Sequence, residues 1–221
     1  MGTPVEAQTS LRITEIFLSL QGESNTVGLP TVFVRLTGCP LRCGYCDSEY
    51  AFSGGTQIVL ADIVSQVRNF GVPRVTVTGG EPLAQPGVHT LMRELCDLDL
   101  YVSLETSGAL SVAAVDPRVI KVVDLKTPGS GEVQRNLWSN VEHLNPHDQI
   151  KFVLCDRQDY DWACLQCDIH HLYELVADVL FSPSFGQLNP TDLADWVVAD
   201  ALPVRMQMQL HKLLWGDEPG R

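Results

Sequence analysis

Three cysteines fall within eight residues of one another, in the pattern Cys39-x3-Cys43-x2-Cys46. Thiolates are the protein ligands that iron prefers in iron–sulfur clusters. A 4Fe-4S cluster held by only three cysteines keeps one iron free of protein ligands, and that iron can bind and activate a small molecule. A zinc site, a disulfide pair and a chance grouping are the alternatives, but a closed structural zinc site needs a fourth ligand. The spacing therefore favours an open iron–sulfur cluster.

Polar and glycine-rich motifs follow several of the apolar runs. Thr78-Gly79-Gly80-Glu81-Pro82, Glu105-Thr106-Ser107-Gly108 and Asp124-Leu125-Lys126 each come at the end of a short run rich in β-branched residues. Taken alone, the glycine pair is equally typical of a plain turn, and Lys126 of a surface lysine. Because the carboxyl ends of parallel strands meet at the same edge of a sheet, the recurrence of polar motifs at strand ends favours one shared site there.

Strands and helices are predicted to alternate along the chain, which is the order of an α/β fold with a parallel sheet. The strands are predicted at residues 31–36, 75–78, 101–104, 119–123, 150–154, 179–181 and 204–210, and the helices at 57–70, 86–97, 156–177 and 191–199. The chain is short for a complete eightfold barrel. We therefore predict a single-domain, incomplete TIM-like barrel at residues 12–221, preceded by a flexible tail at residues 1–11.

Composition restricts the class of partner. The chain has 221 residues and a formal net charge of -12, which argues against nucleic acid or an anionic membrane as the main partner. No apolar run approaches membrane-spanning length, and the first ten residues lack the apolar core of a secretory signal. With seven cysteines, an odd number, we expect a cytoplasmic protein with reduced thiols.

The cysteine pattern resembles the signature of the radical S-adenosylmethionine (SAM) superfamily. Four further motifs narrow the resemblance to the 7-carboxy-7-deazaguanine synthases. These motifs are Leu20-Gln21-Gly22-Glu23, Thr78-Gly79-Gly80-Glu81-Pro82, Glu105-Thr106-Ser107-Gly108 and Gln209-Leu210-His211-Lys212. The resemblance runs from about Arg12 to Lys212. The triplet alone indicates only the superfamily, whereas the ordered set of five motifs is specific.

The resemblance implies a fold and a reaction. The fold is the partial barrel of the radical SAM type. The reaction is a carbon–nitrogen lyase reaction that converts 6-carboxy-5,6,7,8-tetrahydropterin to 7-carboxy-7-deazaguanine with loss of ammonia, on the route to queuosine-type 7-deazapurines. The implied cofactors are a 4Fe-4S cluster, SAM used catalytically, and Mg²⁺. The implied partners are an electron donor such as a flavodoxin or ferredoxin and a second copy of the chain.

Matching each motif position of this sequence to the family pattern gives a set of expected ligand-binding residues. The resemblance implies that the substrate meets Leu20, Gln21, Gly22, Glu23, Arg35, Thr78 and His211, and that SAM meets Gly80, Glu81, Glu105, Ser107, Asp124, Lys126 and Ser182. Cys39, Cys43 and Cys46 hold the cluster. Ser48 is expected to bind Mg²⁺, although the family commonly has threonine there. A lone arginine in a strand more often faces water at a sheet edge, so the expectation for Arg35 depends mostly on the resemblance.

The C-terminal tail and the remaining cysteines depart from the motifs. The tail extends past the family's usual end, so that Asp217 or Glu218 is expected to replace a terminal carboxylate on the substrate. Cys164 and Cys167 stand in a predicted helix and are interpreted as incidental.

Two other classes of function stay open at this point. One is a different radical SAM enzyme, such as an activase that forms a glycyl radical on a partner protein. The other is a non-enzymatic iron–sulfur carrier or zinc-stabilised binding module.

Overall fold

The computed structural model describes residues 9–216 together with Glu218 and Gly220. Nine strands form one sheet in the order β3-β1-β2-β4-β5-β6-β7-β8-β9. The strands are β1 (Ser10–Leu20), β2 (Pro30–Leu36), β3 (Thr56–Val59), β4 (Arg74–Gly79), β5 (Tyr101–Thr106), β6 (Ile120–Asp124), β7 (Gln149–Leu154), β8 (Asp178–Pro183) and β9 (Arg205–Met206). Strands β2 and β4 to β9 are parallel, whereas β1 is antiparallel to both β2 and β3.

The α-helices lie between β3 and β4, between β4 and β5, between β7 and β8, and between β8 and β9, and one follows β9; within the described residues, β5, β6 and β7 are joined by loops and 3-10 turns alone. They are α1 (Leu60–Asn69), α2 (Val88–Asp97), α3 (Arg157–Ile169), α4 (Leu172–Leu175), α5 (Pro190–Ala199) and α6 (Leu210–Trp215). Short 3-10 turns, among them Glu49–Ala51 and Pro128–Ser130, supplement them in the loops. Within the described part of the chain the edge strands β3 and β9 do not pair with each other, so the sheet stays open. The predicted incomplete barrel is confirmed.

Alternation along each strand separates a hydrophobic core from a cavity. On β7, Ile150 and Phe152 belong to the core, whereas Lys151 and Val153 line a cavity on the other face. This is the period of two that a strand imposes on its side chains. The core is completed by apolar helix residues such as Leu91 of α2.

Element boundaries differ from the sequence-based prediction at several places. The predicted helix 156–177 divides into α3 and α4, because His171 between them has a left-handed backbone (φ 52°). Strand β1 begins at Ser10, two residues before the predicted start of the core domain, and Leu11 is only 1% exposed. The predicted helix 57–70 is a strand, β3, followed by α1, because residues 56–59 pair with the start of β1. The predicted strand 204–210 shortens to β9.

The chain leaves the sheet after β9 because the segment that follows is bonded to the loop after β1. The backbone N–H of Leu210 donates a hydrogen bond to the carbonyl of Gly22 (2.9 Å), and α6 begins at Leu210. The alternation of residues 204–210 is therefore overridden by a contact with the loop that follows β1. No helix in the described ranges is long and apolar enough to span a membrane.

Candidate active site

A cavity of 740 Å³ lies at the carboxyl ends of the parallel strands. Its wall brings together most of the residues predicted to form the site. These are Leu20, Gln21, Gly22, Glu23, Arg35, Cys39, Cys43, Cys46, Ser48, Thr78, Gly80, Glu105, Ser107, Asp124, Lys126 and His211. The expectation that the strand-end motifs share one site thus agrees with their placement.

The three cysteines lie on the loop between β2 and the turn at Glu49–Ala51. The N–H of Cys46 donates to the carbonyl of Cys43 (3.1 Å), which curls the loop, and Gly44 N–H donates to the carbonyl of Ser130 (3.0 Å). Burial raises the pKa of Cys43 to about 11, and burial also raises the pKa values of Cys39 and Cys46. Three partly buried thiols from one short loop therefore face one cavity.

The arrangement of these thiols suits a cluster. Among the residues that the structure describes, no three cysteine, histidine or acidic side chains converge as ligands of a single metal ion would. In a 4Fe-4S cluster each cysteine binds a different iron, so its ligands stand farther apart than those of one ion. Cys39, Cys43 and Cys46 fit the cluster, because all three line the same cavity and the described wall brings no other cysteine to it.

The glycine pair after β4 fits closely against the chain itself. A β carbon on Gly79 would collide with the backbone of Leu36, and one on Gly80 would collide with the backbone of Gly38. The N–H of Glu81 donates to the carbonyl of Gly38 (2.7 Å). Glycine is therefore required here by close packing against the start of the cysteine loop.

Glu81 is fully buried and its carboxylate is saturated by hydrogen bonds. It accepts from the hydroxyl of Thr106 (2.9 Å), from the N–H of Ser107 (2.7 Å) and its hydroxyl, and from the N–H of Leu83 (3.0 Å). It does not line the cavity. Glu81 thus holds the end of β5 against the end of β4 through buried hydrogen bonds, and it is not part of the described cavity wall.

Glu105 forms a buried polar group with residues predicted on the substrate side. Its carboxylate accepts hydrogen bonds from the amide of Gln21 (3.3 Å) and the hydroxyl of Thr78 (2.9 Å). Burial raises the pKa of Glu105, and the nearby Glu23 raises it further, whereas Lys151 and the hydrogen bond from Thr78 oppose the shift. Glu105 is predicted to contact SAM, and its hydrogen-bond partners here are two residues predicted to contact the substrate.

A chain of opposite charges crosses the cavity wall. Lys151 Nζ lies 2.5 Å from Glu23 Oε2 and 3.1 Å from Asp124 Oδ2, and Lys126 Nζ lies 3.0 Å from Asp124 Oδ1. Burial alone would raise the pKa of Asp124, but the two lysines hold it below its usual value. Burial likewise opposes the charge of Lys126, and its attraction to Asp124 raises the pKa of that ammonium above its usual value.

Arg35 points into the cavity from the end of β2. Its Nε donates to Glu15 Oε1 (2.7 Å), and one of its terminal nitrogens lies 3.4 Å from Ser48 Oγ. The guanidinium also lies over the rings of Phe17 and Tyr50, 5.8 Å from each centroid. These contacts fix the plane of the guanidinium, as recognition of a carboxylate by two parallel hydrogen bonds requires.

The C-terminal segment closes one side of the cavity. Gln209 Nε2 donates to Glu23 Oε1 (2.7 Å), and His211 Nε2 lies 3.8 Å from Asp47 Oδ2. Glu218 also lines the cavity, whereas Asp217 lies outside the described residues.

Comparison with known proteins decides the family. The radical SAM superfamily model matches residues 33–123. The 7-carboxy-7-deazaguanine synthase of Chlorobaculum tepidum is 43% identical over 97% of this chain and 98% of that protein. The enzyme of the same name from Koribacter versatilis is 42% identical over 94% of this chain and 98% of that protein. This chain belongs to the 7-carboxy-7-deazaguanine synthase family.

The solved structures agree on the fold of this synthase-family chain. The crystal structure of QueE from Escherichia coli superposes with a TM-score of 0.74 at 23% identity, covering 91% of this chain and 95% of that one. SuiB from Streptococcus suis, bound to its precursor peptide, superposes with a TM-score of 0.57 over 78% of this chain and 46% of that one. This chain therefore shares the fold of these two structures, and its own sheet does not close within the described residues.

Two of the residues predicted to contact SAM lie outside the described cavity wall of this family member. Glu81 is one, for the reason given above. The other is Ser182, which is 1% exposed because β8 continues to Pro183 and keeps it within the sheet. Ser184, just past the strand, lines the cavity instead.

Sequence reasoning missed Lys151 among the charged residues of the cavity wall. Lys151 stands between two core residues of β7, and a lysine in such an apolar strand is a signal of a polar cavity on the other face. Asp124, the last residue of the neighbouring strand β6, lies in the same wall, as its place at a strand end predicts.

Proposed function

We propose that this chain converts 6-carboxy-5,6,7,8-tetrahydropterin to 7-carboxy-7-deazaguanine with loss of ammonia, as a radical SAM lyase. The observation that supports this is the continuity of one cavity between the cysteine loop and a polar wall of Gln21, Glu23, Thr78 and Glu105. A substrate on that wall lies beside the cofactor, and radical chemistry requires such closeness.

The cofactors would be held by the strand-end residues. When bound, the cluster and SAM supply the radical chemistry that abstracts hydrogen from the substrate. Cys39, Cys43 and Cys46 would hold the cluster. The loops bearing Gly80, Ser107 and Lys126 would hold SAM, with the Lys126 ammonium available to its carboxylate. Glu81 would act by fixing Ser107.

The substrate would be recognised along its hydrogen-bonding edge. The Gln21 amide both donates and accepts, and the carboxylates of Glu23 and Glu105 accept from ring N–H groups, so together they match a pterin. Arg35 would bind the substrate carboxylate through the terminal nitrogens of its fork, because its Nε is already bonded to Glu15. Thr78 and His211 would complete the enclosure.

Mg²⁺ would bind near Ser48. The Ser48 hydroxyl donates to Asp47 Oδ1 (2.9 Å), so a hydroxyl and a carboxylate stand side by side beside the Arg35 guanidinium. Mg²⁺ takes six oxygens and keeps several waters, so two protein oxygens suffice if water and the substrate carboxylate supply the others. This metal would hold the substrate carboxylate in place during the rearrangement.

The physiological setting completes the proposal. The chain would work in the cytoplasm as a homodimer and accept electrons from a small carrier such as a flavodoxin or ferredoxin. Nucleic acid and membranes are not proposed as partners, given the net charge of -12.

An anaerobic assay tests the function. Reconstituted protein is incubated with SAM, dithionite, Mg²⁺ and the carboxy-tetrahydropterin, and products are read by mass spectrometry. We expect 7-carboxy-7-deazaguanine without stoichiometric consumption of SAM. If 5′-deoxyadenosine accumulates and no deazaguanine forms, the substrate is wrong and an activase acting on a partner protein becomes the better explanation.

A further inference from the structure

We infer that Lys151 is a positioning residue that couples the substrate side of the cavity to its SAM side. The inference rests on the proposed function, which assigns Glu23 to the substrate, and on the family resemblance, which assigns Asp124 to SAM. Lys151 belongs to none of the motifs that indicate the family, and its place in the site is seen only in the fold.

The ammonium of Lys151 is shared by two carboxylates from distant parts of the chain. It lies 2.5 Å from Glu23 Oε2, on the loop after β1, and 3.1 Å from Asp124 Oδ2, at the end of β6. The Lys151 side chain is 11% exposed, and those of Glu23 and Asp124 are 12% and 17% exposed. At this burial the attraction between the charges is only weakly screened by solvent.

Each of these carboxylates has a different partner for its other oxygen. Glu23 Oε1 accepts from Gln209, and Asp124 Oδ1 pairs with Lys126. Lys151 therefore joins two local arrangements: the first contains the C-terminal segment, and the second contains the loop after β6. A movement of either carboxylate is transmitted to the other through one ammonium.

The positive charge of Lys151 also offsets repulsion among the carboxylates around it. Glu105 lies near Glu23, and this carboxylate neighbour contributes to the raised pKa of Glu105. Burial opposes the charge of Lys151, but Asp124, Glu23 and Glu105 together raise its pKa well above the usual value. Without the ammonium these three carboxylates would repel one another, and Glu23 would turn away from the position that we propose for it against the pterin.

The alternative is a buried ion pair that serves folding alone, and the chain contains a matched example. Lys121, on the neighbouring strand β6, pairs with Asp148 at 2.8 Å, with side chains 2% and 0% exposed. Neither residue lines the cavity. Loss of either lysine removes an ammonium from beside buried carboxylate charge and costs stability. Only the loss of Lys151 is expected to change how the two ligands affect each other.

The experiment measures linkage between the ligands in Lys151→Met and in the control Lys121→Met. The dissociation constant of SAM is determined by calorimetry with and without the carboxy-tetrahydropterin, and that of the pterin with and without SAM, on protein with matched iron content. In the wild type we expect each ligand to tighten the other by the same factor, as linkage requires. In Lys151→Met we expect the affinity for the pterin to fall roughly tenfold or more. The affinity for SAM should fall less, because Asp124 keeps Lys126. The factor by which each ligand tightens the binding of the other, the mutual factor, should approach one.

The outcomes separate this inference from the proposed function. Lys151→Met with wild-type affinities and linkage, or Lys121→Met with the same losses as Lys151→Met, would overturn the inference while leaving the function standing. A wild type that binds no carboxy-tetrahydropterin would overturn both. If Lys151→Met does not fold, Lys151→Arg keeps the charge but moves the contact, and an unchanged mutual factor in that variant counts against the inference.

Discussion

Gly22 and His211 are packed so closely that Gly22 has no room for a side chain. A β carbon on Gly22 would overlap His211 Nδ1, and the carbonyl of Gly22 accepts a hydrogen bond from the N–H of Leu210 (2.9 Å). Two motifs from opposite ends of the sequence thus form a single wall of the cavity. Glycine is needed there for space, since its backbone is not among those with positive φ.

Gly22→Ala should displace His211 and open that wall. We expect the KM for the pterin to rise roughly tenfold or more, because misplacement of a positioning group by about 1 Å is enough for large losses. The affinity for SAM should stay near the wild-type value. Steady-state kinetics and SAM calorimetry check this. Gly28→Ala is the control: it lies in the same loop at φ +84° with open space around it, so it should cost stability without changing KM.

Glu81→Gln should destabilise the protein before any ligand binds. The carboxylate accepts from Thr106, Ser107 and Leu83, and an amide offers one acceptor oxygen and turns a donor toward these donors. We expect a loss of about 1–3 kcal/mol in the free energy of unfolding, with a weaker affinity for SAM because Ser107 is released. Urea unfolding of the cluster-free protein checks the first effect. The exposed Glu94→Gln should change neither, and equal stability of both variants would contradict the role of Glu81.

Cys43→Ala should abolish the cluster, since the loop supplies its three ligands. Iron analysis and the visible spectrum after anaerobic reconstitution check this. The double variant Cys164→Ala/Cys167→Ala should retain full iron and near-normal turnover, because both cysteines lie in α3 away from the described cavity wall. A cluster that survives in Cys43→Ala, or is lost in the α3 variant, would contradict the assignment.

Asp159→Asn should impair cluster assembly from a distance. Asp159 is 1% exposed and accepts hydrogen bonds from the Thr127 hydroxyl (2.9 Å) and the Gly129 N–H (2.8 Å), which order the turn carrying Ser130. The carbonyl of Ser130 in turn accepts from Gly44 of the cysteine loop (3.0 Å). We expect lower iron content at equal reconstitution time and a lower Tm. The exposed Asp161→Asn serves as the control, and iron content equal in both variants would refute this coupling.

Arg35→Lys should weaken pterin binding more than SAM binding. Lysine keeps the charge but loses the planar fork that binds a carboxylate through two hydrogen bonds. A roughly tenfold loss of pterin affinity is expected, in line with the loss of one charge-assisted hydrogen bond of about 1.5–3 kcal/mol. Calorimetry with each ligand alone gives the comparison, and parallel losses for both ligands would argue that Arg35 supports the fold of the site as a whole.

The sequence by itself determined the local features of the site. The three cysteines stand on one short loop, so their spacing predicts a shared cluster site without any long-range contact. The strand-end motifs are short and follow their strands directly, so the order of strands and helices was enough to bring Thr78, Glu105 and Asp124 to one face. These placements can be predicted because each depends on neighbours in sequence or on the general geometry of parallel sheets.

The tertiary structure alone decided which partners the polar side chains choose. Lys151 meets Glu23 across 128 residues, and Gln209 meets Glu23 across 186. The motif around Glu81 does not show whether this side chain contacts a ligand or, as observed, accepts from the N–H of Ser107. Residues 204–210 likewise alternate as in a strand, although α6 begins at Leu210. Such choices depend on competing contacts that form only when distant segments pack together, and no local pattern contains that information.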